Sequence, residues 1–258
     1  MTRHELITAG PARIEVLVDG FGPCVVVLPS SQRDSRGEDE LAHPLATAGY
    51  MVLRPQPRGM GHSEGPLDGM TLADLADDVA AAIQQLGGGR AVVLGHAFGH
   101  FVARVPDLLH PACVRGVVLL GAAARTFPPG LTEALDTAAD YSQPRAARLQ
   151  AMRVALFAEG NDPTPWLDGW HPHLRPYYRA ASAEPPKAVW WSTTNAPILE
   201  VQGAQDPWRP PHTRNELRDV LGDKVTVQAI EGASHALIPE RPVEVARAVI
   251  SWMQTLPA

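Results

Sequence analysis

Ala91-Val92-Val93-Leu94-Gly95-His96-Ala97-Phe98-Gly99 is the stretch on which the reading of this chain turns. Residues 91–94 form an apolar run without alternation, the pattern of a strand buried on both faces. Phe98 to Leu109 reads as a helix. Two glycines flank position 97 between these elements. A turn that passes from strand to helix in so few residues has no room for side chains on either side of its apex. The apex residue itself is held in a strained conformation and presents its side chain above the sheet edge. The glycine spacing is weak evidence alone. The strand before it and the helix after it strengthen it. The apex residue here is Ala97.

Strand and helix signals alternate outward from this turn. Leu6–Ile7, Arg13–Val18, Cys24–Leu28 and Tyr50–Leu53 read as strands on the amino-terminal side, with a helix over Glu40–Ala48. Thr71 is a good N-cap with Asp74 three residues on, and the helix it starts runs to Leu86 with Leu72, Leu75, Val79 and Ile83 on one face. Further strands follow over Val114–Leu120, Pro197–Val201 and Val225–Ile230. Helices are expected over Pro210–Leu221 and Pro242–Met253. Between about residues 124 and 195 the strand signals disappear. An alternating chain with one such interruption implies an α/β fold: a mostly parallel, twisted sheet with helices on both faces and a helical lid over one edge. The lid is an insertion, so residues 1–258 are read as one domain.

Composition narrows the function. The 258 residues are 45% hydrophobic and 19% charged, as in an ordinary soluble globule. The net charge of -6 and the absence of a Lys/Arg cluster argue against a nucleic-acid partner. No run approaches the roughly 20 apolar residues of a membrane span, and Met1-Thr2-Arg3-His4-Glu5 has no signal-peptide character. A cytoplasmic protein is expected, monomeric or homodimeric, with a small-molecule substrate. Cys24 and Cys113 sit in or beside apolar runs and read as buried thiols. The 25 prolines lie mostly between apolar runs and mark short loops.

Three more segments carry a resemblance. Pro57-Arg58-Gly59-Met60-Gly61-His62-Ser63, Gln202-Gly203-Ala204-Gln205-Asp206-Pro207 and Glu231-Gly232-Ala233-Ser234-His235-Ala236 join the turn at 97 in an order that resembles the α/β-hydrolase superfamily, in the subgroup with a lid after the sixth strand. The resemblance covers nearly the whole chain and implies an eight-stranded sheet. It implies that position 97 is the nucleophile position, that His235 is the general base and that Asp206 orients it. It also implies an oxyanion hole made by the backbone N–H groups of Phe98 and Ser31. The chain departs from the family with Pro29-Ser30-Ser31 where many members have His-Gly-x, and with Gln56 where many have aspartate.

The larger departure is Ala97. Alanine has no group that can attack a carbonyl, so the acyl-enzyme route is closed. The alanine is either a single edit made to trap a substrate or a natural residue, and Gly-His-Ala-Phe-Gly is a form seen in some members resembling this chain. The leading expectation is a hydrolase-family protein for a small apolar ester, lactone or related acyl compound. The alternatives are a serine-independent His–Asp enzyme (a lyase, isomerase or cofactor-free oxygenase) and a non-catalytic ligand binder. Ser30, His96, Trp166, Trp170 and Trp190 are the candidates for the substrate pocket, and Ser30, Ser31 and His96 the nearest substitute nucleophiles. His96 and His100 stand four apart like zinc ligands on a helix, and His171 and His173 form another pair. Neither has the acidic or cysteine partners that metal sites use, so no metal and no cofactor are expected.

Overall fold

The computed structural model describes residues 2–257. The elements run β1 (Arg3–Ala9), β2 (Ala12–Asp19), β3 (Cys24–Leu28), α1 (Asp39–Thr47), β4 (Met51–Pro55), α2 (Leu72–Leu86), β5 (Ala91–His96), α3 (Gly99–Leu109) and β6 (Val114–Leu120). Next come α4 (Leu131–Ala139), α5 (Arg145–Ala155), α6 (Arg175–Ala181), α7 (Lys187–Trp191), β7 (Ile198–Gly203), α8 (Glu216–Leu221), β8 (Val225–Ile230), α9 (Leu237–Glu240) and α10 (Pro242–Met253).

The eight strands form one sheet in the order β1-β2-β4-β3-β5-β6-β7-β8. β2 is antiparallel to β1 and to β4, and the remaining pairs are parallel. β3 and β5 are buried at every position, which explains their unbroken apolar runs. One face of the sheet packs on α2 and α3 through Leu72, Leu75, Val79, Ile83 and Val105. The other packs on α1 and α10 through Leu41, Leu45, Val245 and Val249. Connections between parallel neighbours thus bring the carboxyl ends of β3, β5, β6, β7 and β8 to one edge, where loops have room to carry a site.

α2 begins where the sequence signals it. Thr71 Oγ1 accepts from the Asp74 N–H at 3.2 Å, and the Asp74 carboxylate accepts from the Thr71 N–H at 2.8 Å. This reciprocal pair satisfies two donors of the first turn.

Two elements differ from the sequence reading. β1 extends well beyond Leu6–Ile7, pairing with β2 from Arg3↔Val18 to Ala9↔Ala12. Arg3, His4 and Thr8 are exposed and polar, so the apolar signal is short although the backbone pairing is long. The expected helix over 210–221 is divided into a single 3₁₀ turn at Pro211–Thr213 and α8. Pro210 and Pro211 lack N–H donors, and a proline also turns the residue before it away from helical geometry.

Residues 124–195 are helical and irregular, as the missing strand signals imply. This inserted segment has its own apolar cluster, built from Leu131, Ala138, Met152, Ala155, Trp166 and Trp170. It is tied to the main body at several points. The Leu72 N–H donates to the Glu184 carbonyl at 2.7 Å, and the Tyr178 hydroxyl donates to the Arg58 carbonyl at 2.9 Å. Arg104 donates to the carbonyls of Trp190, Trp191 and Thr193.

Candidate active site

The turn after β5 has the predicted geometry. Ala97 has φ of 46°, in the left-handed region. A Cβ on Gly95 would lie 2.1 Å from the Gly99 carbonyl oxygen, and one on Gly99 would lie 2.6 Å from that of Leu28. Neither contact is possible, so both glycines are obligatory. The Ala97 N–H donates to the Leu120 carbonyl at 2.9 Å, tying the apex to the end of β6.

Asp206 and His235 occupy the loops after β7 and β8. Those loops are laced together: the Ala204 N–H donates to Ile230 and the Gln205 N–H to Ala233, each at 2.9 Å. Asp206 Oδ2 lies 3.0 Å from His235 Nδ1, and Asp206 Oδ1 accepts from the Trp208 N–H at 2.8 Å. The carboxylate side chain is fully buried. A carboxylate facing Nδ1 places the proton of a neutral imidazole there and leaves a lone pair on Nε2. The Trp208 indole lies 5.2 Å from the His235 ring, centroid to centroid, and its N–H is held by the Ala155 carbonyl at 2.6 Å.

Ala97 and His235 line one cavity of about 150 Å³, together with Ser30, Ser31, Phe98, His100 and an apolar wall that includes Phe101, Phe127 and Trp208. Among the described residues, the backbone N–H groups of Phe98 and Ser31 have no acceptor. The sequence-predicted trio of 97, 206 and 235 is therefore brought together, and the two expected oxyanion donors stand at the same cavity.

The other expected pocket residues divide. Ser30 lines the cavity. His96 does not: it is buried behind it, with Nε2 2.9 Å from the His235 carbonyl oxygen and Nδ1 3.5 Å from Glu38 Oε1. Burial disfavours its charged form, but Glu38 outweighs burial and holds its pKa above the ordinary imidazole value. Its position braces the loop of His235 from below. Trp166, Trp170 and Trp190 also stand away from this wall. Trp166 and Trp170 pack edge to face at 5.9 Å inside the inserted segment, and Trp190 is buried against Phe101 at 5.0 Å. Trp166 and Trp170 are drawn into the segment's own cluster and Trp190 into the core of the main body, and spacing along the chain does not reveal that.

Two wall residues escape sequence reading. Trp208 follows Asp206 by two positions, but only the fold turns its ring towards His235. His100 is the second residue of α3 and 2% exposed. Its Nδ1 hydrogen-bonds the Ala97 carbonyl, which fixes the proton on that nitrogen. Burial, then the positive charges of Lys187, Arg104 and Arg209, push its pKa well below the imidazole range. It is a neutral side chain, and with His96 directed at the His235 carbonyl the two do not converge as metal ligands would.

Residues 23–164 match the family described as the alpha/beta hydrolase fold. The chain belongs to that family. The 2-hydroxymuconate semialdehyde hydrolase of Pseudomonas sp. strain CF600 is 30% identical to it over 156 residues, 60% of this chain and 52% of that protein. The 2-(acetamidomethylene)succinate hydrolase of Mesorhizobium japonicum is 29% identical over 131 residues, 50% of this chain and 45% of that protein. The chain spans about half the length of the curated relatives it matches. Among solved structures, an esterase from Exiguobacterium antarcticum superposes with a TM-score of 0.81 at 20% identity, covering 98% of this chain and 100% of that one. That likeness extends the shared fold to nearly the whole chain. No helix among the described residues is long and apolar enough to cross a membrane.

Proposed function

We propose that this alpha/beta hydrolase acts without a serine nucleophile on a small, largely apolar ester, lactone or related acyl compound, with His235 and Asp206 as a general-base pair. The observation that carries the reading is the shared cavity. Ala97 and His235 line it, Asp206 holds the far nitrogen of His235, and the N–H groups of Phe98 and Ser31, without an acceptor among the described residues, belong to the same wall. An apolar wall suits an apolar substrate.

In this reading the methyl group of Ala97 leaves room for water where a serine hydroxyl would stand. His235 Nε2 takes a proton from that water as its oxygen adds to the carbonyl carbon. The carbonyl oxygen becomes an oxyanion held by the N–H groups of Phe98 and Ser31. Asp206 stabilises the imidazolium, which returns the proton to the departing alkoxide as the C–O bond breaks. The route lacks a covalent intermediate, so its rate falls well below that of a serine enzyme.

Two substitutions test it on aryl esters and lactones. His235→Ala is expected to remove the basal rate. Ala97→Ser is expected to raise the rate on simple aryl esters and to introduce a burst of product. A folded Ala97→Ser protein with no gain, together with a basal rate that survives His235→Ala, contradicts the proposal.

His100 favours a second reading. It places another neutral imidazole in the cavity, and its Nε2 has no partner among the described residues. Beside this neutral, weakly basic ring, His235 is the base for direct proton abstraction from the substrate, as in a lyase, an isomerase or a cofactor-free oxygenase. Ala97→Ser then adds nothing, and His235→Ala still abolishes turnover.

A further inference from the structure

Among the described residues, Ala97 and Gln32 are the non-glycine positions with positive φ, at 46° and 60°. Each adjoins one of the two expected oxyanion donors: Ala97 precedes Phe98, and Gln32 follows Ser31. A residue keeps such a conformation only where its surroundings over-determine it. At Ala97 the strand-to-helix turn does so. At Gln32 the local chain supplies a tight turn over Ser30–Arg33, closed by the Arg33 N–H donating to the Ser30 carbonyl at 3.2 Å. Gln32 is the third residue of that turn, a place where positive φ is ordinarily left to glycine or asparagine.

The rest of the constraint comes from far along the chain. One stretch of the inserted segment, residues 166–171, grips both residues that follow Ser31. The Gln32 carbonyl accepts from the His171 N–H at 2.8 Å. Arg33 stands opposite Trp170 in an isolated antiparallel bridge. Its guanidinium lies 4.3 Å from the centre of the Trp166 ring and 4.9 Å from that of Trp170. Arg33 Nη1 also donates at 3.1 Å to the carbonyl of Asp168, 135 residues away. Arg33 is 7% exposed, and a cation held over ring faces is bound more firmly where water is excluded. Gly169 leaves room for it, since a Cβ there would lie 3.2 Å from Arg33 Nη2.

The gripping stretch is itself fixed inside the segment. The Trp170 N–H donates to the Tyr141 hydroxyl at 3.0 Å, and the Arg148 guanidinium joins the carbonyls of Ala138 and Leu167. Arg33 is not on the wall of the cavity that holds Ala97 and His235, whereas Ser31 is. Whatever Arg33 contributes to chemistry there passes through the turn.

We propose that Arg33 is a positioning residue: residues 166–171 hold it, and through it the strained turn, so that the Ser31 N–H stays aimed at the place where the oxyanion forms. The proposal rests on the reading that this N–H belongs to an oxyanion hole. The two donors are then fixed from different sides. Phe98 is set by the turn between β5 and α3, and Ser31 by the inserted segment.

The test uses two pairs of variants of the whole chain. Arg33→Met keeps the stem and removes the charge and donors, and Arg33→Lys keeps the charge. From the other side of the contact, Trp170→Leu removes a ring face and Trp170→Phe keeps one. Hydrogen exchange at the Arg33 amide, whose bond closes the turn, is followed by NMR in the Trp170 variants. It is expected to be about tenfold faster in Trp170→Leu and within about twofold of the native rate in Trp170→Phe. Hydrolysis of p-nitrophenyl butyrate is followed with the same four substitutions added to Ala97→Ser. Arg33→Met and Trp170→Leu should each lower kcat about tenfold with KM within about twofold, because a displaced oxyanion donor acts on the transition state alone. Arg33→Lys and Trp170→Phe should recover most of that loss. Unchanged exchange in Trp170→Leu overturns the clamp. Unchanged kcat in both disruptive variants, or a rise in KM with kcat preserved, overturns the positioning role. If Ala97→Ser hydrolyses no ester, the reading of the reaction fails, and the exchange rates alone decide whether the inserted segment holds the turn.

Discussion

Gly95, Ala97 and Gly99 show how much a single position can be made to hold. Each glycine is required by backbone oxygen rather than by a flexible side chain, so the structure has no cheap way to yield. Gly95→Ala is therefore expected to cost about 3 kcal/mol of stability, the upper range for overpacking a rigid site. A fall in the urea midpoint with an unchanged slope would register it, whereas an unchanged midpoint would mean that the turn is looser than its geometry shows. The glycines and the strained apex were legible from the sequence because a tight strand-to-helix turn leaves a spacing as its trace. His100 and Trp208 were not. One is a helical residue and the other follows a proline, and nothing local tells which way either ring faces.

Among the elements, α2 is the most completely specified. Its cap, its apolar face and the Gly87 that ends it are all local features, and its bounds coincide with those read from the chain. Thr71→Ala removes the side-chain acceptor for the Asp74 N–H. It should lower stability by about 1 kcal/mol, and Thr71→Ser should restore most of it. Chemical denaturation of the two variants makes the comparison, and equal midpoints for Thr71→Ala and the native chain would remove the cap from the account. The segment around α8 shows the opposite case. Its apolar residues fit a longer helix, but adjacent prolines withhold the donors that would propagate one. The inserted segment was recognisable only by what it lacked, because short helices around tryptophans have neither a steady period nor strong caps.

At the scale of the molecule, distant segments meet around single charges. Glu15 on β2 accepts from His4 on β1 and from the His62 N–H in the loop after β4, each at 2.8 Å. Burial raises the Glu15 pKa, but the hydrogen bonds from His4 and His62 outweigh it and hold the group at about 2, against an ordinary value of 4.5. The folded form therefore binds its proton less readily than the unfolded chain. The resulting stability is fully present above about pH 4.5 and is lost as pH falls towards 2. Both histidines are largely exposed and solvent screens them, so the contribution is on the order of 2 kcal/mol. Glu15→Gln should be less stable than the native chain at neutral pH and should converge with it near pH 2. A gap in urea midpoints that stays constant over that range would exclude this origin.

The chain by itself determined the sheet, its buried strands and the positions of the strained turn, Asp206 and His235. Those depend on local sterics, on unbroken apolar runs and on the order of short motifs, all of which survive in one dimension. Only the tertiary structure decided which side chains face the cavity. It turned Trp166, Trp170 and Trp190 into packing, set His96 behind His235, and brought Trp208 and His100 to the wall. The direction of a buried side chain is settled by what the rest of the fold leaves unfilled, and residues far apart along the backbone settle that jointly.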